Sequence, residues 1–437
     1  MPKSSPMYVV RRAMMSDLPT LHKLSKMVHF INLPPDQEII SDKIRNSRKS
    51  FQRAAGDAKT VHKPKGTSAG GGLSEKTAMA DIFMFVIEEV SSEGCIGTSQ
   101  LVSQMGGVGH PNVCLKLETR EKYANDLKVG TRHTVARVHL DESGPTELGG
   151  LILQPSFRGH KMKLGRFVAL IRFHFIGLHR KMFRPTVLAE LMAPITSNGK
   201  SLVWDTLGHR FIPLSYEEAD RFCQYSREFM TELMPEGDIH LSLLPPAARA
   251  QFGEVGPETL PARRMLENLG FKYEGFVDPF DGGPYVTAST DEIQLVKDTF
   301  HATLGATIKH EQTDQVGIVS VLSNDGDFRA VQTAFQVDRS GKLRLTSEAM
   351  MALHADSGVE AGCTPMRVPV ESGKAKKLAK KPAKKASSKK SASKKAASSK
   401  SAKTTKKVTK KAAKKAVKKT GKKKAAKRTA QRTGKKA

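Results

Sequence analysis

Cysteine is scarce in this chain of 437 residues. Its four thiols, Cys95, Cys114, Cys223 and Cys363, form no Cys-x-x-Cys pair, which argues against a structural zinc site and a dithiol redox centre. Four cysteines over this length do not make a disulfide scaffold either. No metal site is expected. Long apolar runs are also missing. The best, Phe167 to Leu178, is interrupted by Arg172 and His174 and falls short of the ~20 residues of a membrane span. The first twelve residues hold no apolar stretch of signal-peptide length. These absences point to a protein of a reducing cytoplasm with no membrane partner. Phosphate-cradling loops are lacking as well. Gly70-Gly71-Gly72 has no Gly-Lys-Ser/Thr ending, and Gly106-Gly107-Val108-Gly109 runs into Pro111 and a polar stretch rather than a helix.

What is abundant is positive charge, and it is concentrated. The chain holds 72 Lys and Arg against 43 Asp and Glu, a formal net charge of +29. Residues 371–437 alone contain 29 Lys and Arg and a single acid, Glu371. The preceding 370 residues are near neutral. The tail is built mainly from Lys, Ala, Ser and Thr, with Leu378, Val408 and Val417 too few to offset the chain entropy of folding, so disorder is expected there. Its composition is similar to linker-histone tails, and nucleic acid is the expected partner. If about ten lysines meet phosphates, log K falls against log salt with a slope of roughly −9. With no aromatic in the tail, neither base stacking nor sequence readout is expected. A solubilising or anionic-surface tether is the plain alternative.

Helix and strand signals alternate through the body. Tyr8–Arg12 is β-prone, and Ser16-Asp17 precedes Leu18, Leu21, Leu24 and Met27 at helical spacing, with the pair as the expected N-cap. Pro34-Pro35-Asp36 opens a second helix with Ile39, Ile40, Ile44 and Phe51 as its apolar positions. Residues 54–80 are rich in Gly, Ala, Lys and Ser and are expected to be an inserted loop. Strands follow at 81–90, 96–102, 147–153 and 186–191, hairpins over 112–146, and helices at 165–183, 200–210, 216–234 and 259–269. Gly270 ends the last of these before a strand at 271–277. The fold class is mixed α/β, with a central mixed sheet flanked by helices. Residues 7–300 are expected to form one domain, 301–370 a small β-rich unit, and 371–437 the basic tail.

One segment suggests chemistry. A buried strand, Glu147–Leu153, leads through Pro155-Ser156-Phe157-Arg158-Gly159 to a helix beginning near Gly165. Free N–H groups at a helix N-terminus bind phosphate, and Arg158, Lys161 and Lys163 add positive potential. The wider pattern resembles the arginine N-succinyltransferase family of the GNAT acyl-CoA N-acyltransferase superfamily. The resemblance runs from about residue 8 to about residue 300. It is carried by Val10-Arg11 with Ser16-Asp17-Leu18, Glu147-Leu148, Pro155 with Arg158, Arg172-Phe173, Ala189-Glu190, Trp204 with Arg210-Phe211, Glu232-Leu233-Met234-Pro235, Pro261-Ala262-Arg263 and Phe280-Asp281-Gly282-Gly283-Pro284.

This resemblance implies succinyl transfer from succinyl-CoA, a co-substrate rather than a resident cofactor, to the α-amine of arginine. It places the succinyl-CoA contact at Leu151, beside Arg158, Gly159 and Gly165. It also places the family's proton-donating histidine on Gly256, which has no titratable group. Glu254, Glu258 and His240 are the remaining candidates for proton transfer. The loop after Arg158 is about two residues longer than the superfamily's compact form. Guanidinium recognition needs carboxylates, and Glu190, Asp278 and Asp281 are the candidates. Arg210 or Arg263 would meet the succinyl carboxylate. Two alternatives stay open: transfer to ornithine, a polyamine or protein lysine, and a non-catalytic DNA-binding protein on an acyltransferase fold. Association with the nucleoid and a homo-oligomeric state are left open too.

Overall fold

A computed structural model describes residues 7–366, except 28–31, 57–79, 93, 197–198 and 224. The expected tail, 371–437, and most of the expected inserted loop lie outside the described residues, and with them the nucleic-acid contact. In chain order the elements are β1 (Tyr8–Arg12), α1 (Leu18–Ser25), α2 (Gln37–Gly56), β2 (Ile82–Glu89), β3 (Gly94–Val102), β4 (Asn112–Ala124), β5 (Val129–Asp141), β6 (Thr146–Leu153), α3 (Leu164–Leu178) and β7 (Thr186–Glu190). Then come α4 (Leu202–Thr206), α5 (Tyr216–Phe222), α6 (Glu228–Leu233), β8 (Ile239–His240), α7 (Pro246–Arg249), α8 (Leu260–Asn268), β9 (Lys272–Val277), β10 (Pro284–Ser289) and α9 (Gln294–Lys297). The last elements are β11 (Phe300–Thr303), β12 (Gln315–Leu322), β13 (Phe328–Val337), β14 (Leu343–Leu345), α10 (Ser347–Leu353) and β15 (Glu360–Pro365).

All fifteen strands join one sheet, in the order β11-β15-β12-β13-β1-β2-β3-β6-β7-β10-β9-β4-β5-β8, with β14 on the side of β13. Strand alternation sorts β2 between two layers. Phe83, Phe85 and Ile87 face α3, where Phe167, Phe173 and Phe175 pack with Leu266 of α8. Met84 and Val86 face the other way, against Leu21 and Leu24 of α1 and Ile40 and Ile44 of α2. The strands after residue 300 are continuous with this sheet, because β13 pairs antiparallel with β1.

Three local details differ from expectation. Asp36, not Asp17, caps a helix: its Oδ1 accepts from the amides of Glu38 and Ile39 at 2.9 and 3.2 Å. The Asp17 carboxylate is held instead by both Nη atoms of buried Arg11, at 2.7 and 2.9 Å. Residues 216–234, expected as one helix, divide into α5 and α6. The amides of Tyr225 and Ser226 turn back onto Phe222 O, and Ser226 Oγ accepts from the Glu228 amide to start the second piece. α2 runs on to Gly56, three residues into the segment expected as loop. No helix among the described residues is long and apolar enough to cross a membrane.

Candidate active site

β6 and β7 are parallel neighbours, and they separate almost at once. Their paired residues are Thr146 with Val187 and Glu147 with Leu188. β7 goes on beside β10 to Glu190, opposite Tyr285, while β6 goes on beside β3 to Leu153. A notch therefore opens between them, lined by the backbone of residues 149–153. Leu151 lies partly exposed on this edge. Within it β6 bulges: Ser99 of β3 faces both Gly150 and Leu151. Gly150 has φ +56°, and a Cβ there would lie 2.7 Å from Gln100 Nε2, so both backbone and space demand glycine. From the α3 side, buried Arg172 donates through Nη1 to Gly149 O at 3.4 Å and through Nε to Ala169 O at 3.0 Å. Burial alone pulls its guanidinium down to about 10.

The chain leaves the notch through Gln154 and a short turn to α3, which starts one residue before Gly165. Gly159 and Lys163 adopt left-handed conformations, φ +74° and +54°. Arg158, Gly159, Lys161, Lys163 and Arg166 are exposed around the helix N-terminus. A 15-residue helix with its amide end and four cations at one mouth suits a diphosphate. Facing this mouth is the loop before α8. Gly253 N donates to Gly282 O at 2.8 Å and Gly256 N to Met192 O at 3.0 Å. Glu258 pairs with Arg158, and Glu254 is exposed.

Behind the notch lies a buried cluster of charge. Leu148 and Ala189 belong to the α3-side core, so their neighbours Glu147 and Glu190 project to the opposite face. There Glu147, Glu190, Asp220, Asp278 and Asp281 form one electrostatic cluster, into which Lys43 and Arg227 are the cations that reach among the described residues. Some of these acids are fully engaged. Asp278 accepts from the amides of Phe280 and Asp281 at 2.7 and 3.1 Å and from the Tyr285 hydroxyl at 3.2 Å. Asp281 accepts from the amides of Gly283 and Ala193 at 2.7 and 2.9 Å. Glu147 Oε1 accepts from Asn32 Nδ2 at 2.7 Å. Lys43 Nζ donates to Asn32 O at 3.0 Å, and Arg227 Nη1 to Asn112 Oδ1 at 2.5 Å. Glu190 Oε1 and Asp220 Oδ1 are closed off from solvent with no hydrogen-bond partner.

Five carboxylates against two cations make ionisation costly. Burial, then Glu147 and Asp278, push Glu190 well above the usual carboxylate range. Burial and then Asp278 push Asp220 up to about 7 and Asp281 up to about 8. Lys43 is pulled down to about 8 by burial, against the pull of Glu147 and Asp220. The Cys223 thiol beside them is pushed up to about 12, chiefly by burial, which makes it a poor nucleophile.

Of the residues singled out from sequence, Glu190, Asp278 and Asp281 come together here. Leu151, Arg158, Gly159 and Gly165 line the notch and its mouth. Arg210 is exposed, its Nε folded back onto Thr206 O at 2.7 Å, and Arg263 pairs with Glu267 at 2.9 Å on its own helix. His240 lies on β8, the terminal strand of the sheet, opposite Val135. The sequence reading gave no role to Lys43, Gln100, Asp220 or Arg227. Asp220 and Arg227 sit in the stretch read as one amphipathic helix, where charges count as a solvated face.

Residues 8–295 match the family described as arginine N-succinyltransferase beta subunit. Arginine N-succinyltransferase of Yersinia pestis (strain Pestoides F) is 32% identical over 286 residues, covering 64% of this chain and 79% of that one. The Photorhabdus laumondii enzyme is 30% identical over 277 residues, 63% of this chain and 80% of that one. The Enterobacter sp. (strain 638) enzyme is 28% identical over 346 residues, 76% and 94%. Among solved structures, arginine/ornithine succinyltransferase subunit AI from Pseudomonas aeruginosa shares the fold, with a TM-score of 0.65 at 24% identity over 83% of this chain and 99% of that one. The chain belongs to the arginine N-succinyltransferase family and is an acyl-CoA-dependent N-acyltransferase.

Proposed function

We propose that the protein transfers the succinyl group of succinyl-CoA to the α-amine of L-arginine. The observation that carries this reading is the pair of unpartnered carboxylate oxygens, Glu190 Oε1 and Asp220 Oδ1, in an acid-rich cluster behind the notch. Such a cluster calls for a cationic acceptor, and the notch for an extended acyl-CoA arm. The diphosphate lies at the start of α3 with Arg158, Lys161 and Lys163. The thioester carbonyl lies at the bulge, where a backbone N–H of the unpaired β6 edge donates to the developing oxyanion.

Glu190 takes the proton that makes the ammonium a nucleophile. Gly149 and Glu190 stand two residues beyond the last paired rung on their strands, so the carboxylate is level with the bulge. The amine lone pair forms the N–C bond, the C–S bond breaks, and the coenzyme leaves as a thiolate that takes up the surplus amine proton. With glycine at 256, proton transfer falls to Glu190, and proximity supplies much of the rate.

Thiol release from succinyl-CoA on addition of arginine tests the reading. Release with other amines but not arginine would transfer it to another acceptor, and no release with any amine would end it. For the tail, 29 Lys and Arg against one acid favour a separate association with nucleic acid. A steep loss of DNA binding with salt, abolished by removing residues 371–437, tests that.

A further inference from the structure

We infer that Asp220 selects the acceptor, pairing with the guanidinium at the far end of an amino acid whose amine lies at Glu190. The inference rests on the proposed transfer to arginine and names the residue that reads the side chain.

Asp278 and Asp281 are occupied by backbone amides of their own turn and by Tyr285, and Glu147 is held by Asn32. That leaves Glu190 and Asp220 with an oxygen still to be satisfied. The two differ in place. Glu190 ends β7 beside the notch, where the amine must be. Asp220 comes from α5, off the sheet, and has Asp278 as a neighbour in common with Glu190, so one bound amino acid can address both carboxylates. The resident cations act on it without satisfying it: Arg227 is tied to Asn112 and Lys43 to Asn32, and neither donates a hydrogen bond to Asp220 Oδ1. Burial and then Asp278 raise Asp220 to about 7 against the pull of Arg227 and Lys43. A guanidinium fills the gap at lower cost than an ammonium because it is more weakly hydrated.

The test compares the full chain with Asp220→Asn and Asp220→Glu. Acceptors are arginine and citrulline, its neutral isostere, followed by thiol release from succinyl-CoA. Wild type should prefer arginine by about 100-fold in kcat/KM. Asp220→Asn should cut kcat/KM for arginine by about 10–100-fold, through KM rather than kcat, and Asp220→Glu should recover part of it. An arginine-to-citrulline ratio unchanged by Asn overturns the inference. So does an equal loss for both acceptors, which marks a structural role. Calorimetric titration with arginine needs no turnover and separates the two readings. Binding without thiol release refutes the transfer, and Asp220 is then judged on whether Asn removes that binding. Absence of arginine binding to wild type overturns both.

Discussion

Arg158 Nη1 meets Glu258 Oε2 at 3.1 Å, across the mouth between the loop that starts α3 and the loop that starts α8. Two residues expected to act separately, one on phosphate and one on a proton, thus hold each other. Both are solvent-exposed, so the pair contributes little to stability. Its interest is competition: an incoming phosphate must draw Arg158 from Glu258. Arg158→Ala should raise KM for succinyl-CoA about 5–20-fold with kcat little changed, whereas Glu258→Ala should leave that KM the same or lower. Initial rates at saturating arginine check both.

Glu190→Gln should lower kcat by about 100-fold or more while KM for succinyl-CoA moves little. The pH profile gives the sign. A base works only when deprotonated, and burial with Glu147 and Asp278 raises the Glu190 carboxyl. The wild-type rate should therefore fall on the acid side at a pH above the ordinary carboxylate range, and the Gln variant should lose that limb. A wild-type limb at the ordinary carboxylate value would remove Glu190 from the role.

Gly256→His should return part of the rate to Glu190→Gln. A Cβ at 256 lies 3.2 Å from Ala193 O, so the loop must give by a few tenths of an ångström. The double variant should regain about tenfold in kcat, with a rate that follows a histidine-like titration. A double variant that melts with the single one and shows no gain would count against the site lying there.

Asp220→Asn should stabilise the free protein above neutral pH. Asp220 titrates near 7 in the folded chain and near 3.8 unfolded, so the folded state binds more protons between these values. Stability is then greatest below about pH 4 as far as this group is concerned, and is lost as pH rises through 7. The cost at pH 8 is about 4 kcal/mol, which Asn removes. Thermal midpoints of both chains at pH 5 and pH 8 check this. The same substitution that weakens arginine binding should flatten the dependence.

Gly150→Ala should cost about 1–3 kcal/mol and impair acyl-CoA binding, because it combines a positive φ with a collision against Gln100. Calorimetry with coenzyme A, alongside a melting curve, distinguishes a lost notch from a lost fold.

Much of this was legible from periodicity. The alternation in Ile82–Glu89 and the spacing of Ile40, Ile44 and Phe51 place strand and helix because burial imposes one period on each. Glu190, Asp278 and Asp281 could be named because buried-strand and turn contexts make acids conspicuous. Asp220 and Arg227 could not. Their helix breaks after Phe222 through short-range hydrogen bonds, and only tertiary contact turns a nominally wet face inward. The pairing of β13 with β1, over about 320 residues of separation, leaves no local trace.

That pairing also bears on how the molecule is made. β1 is synthesised about 320 residues ahead of β13, yet it lies between β2 and β13. Its hydrogen bonds on one side must wait until nearly the whole body has been synthesised. Until then the nascent chain presents a bare apolar edge, Tyr8-Val9-Val10, open to aggregation or chaperones. Fragments ending near residue 300 keep the sequence of the candidate site but should behave as this arrested intermediate.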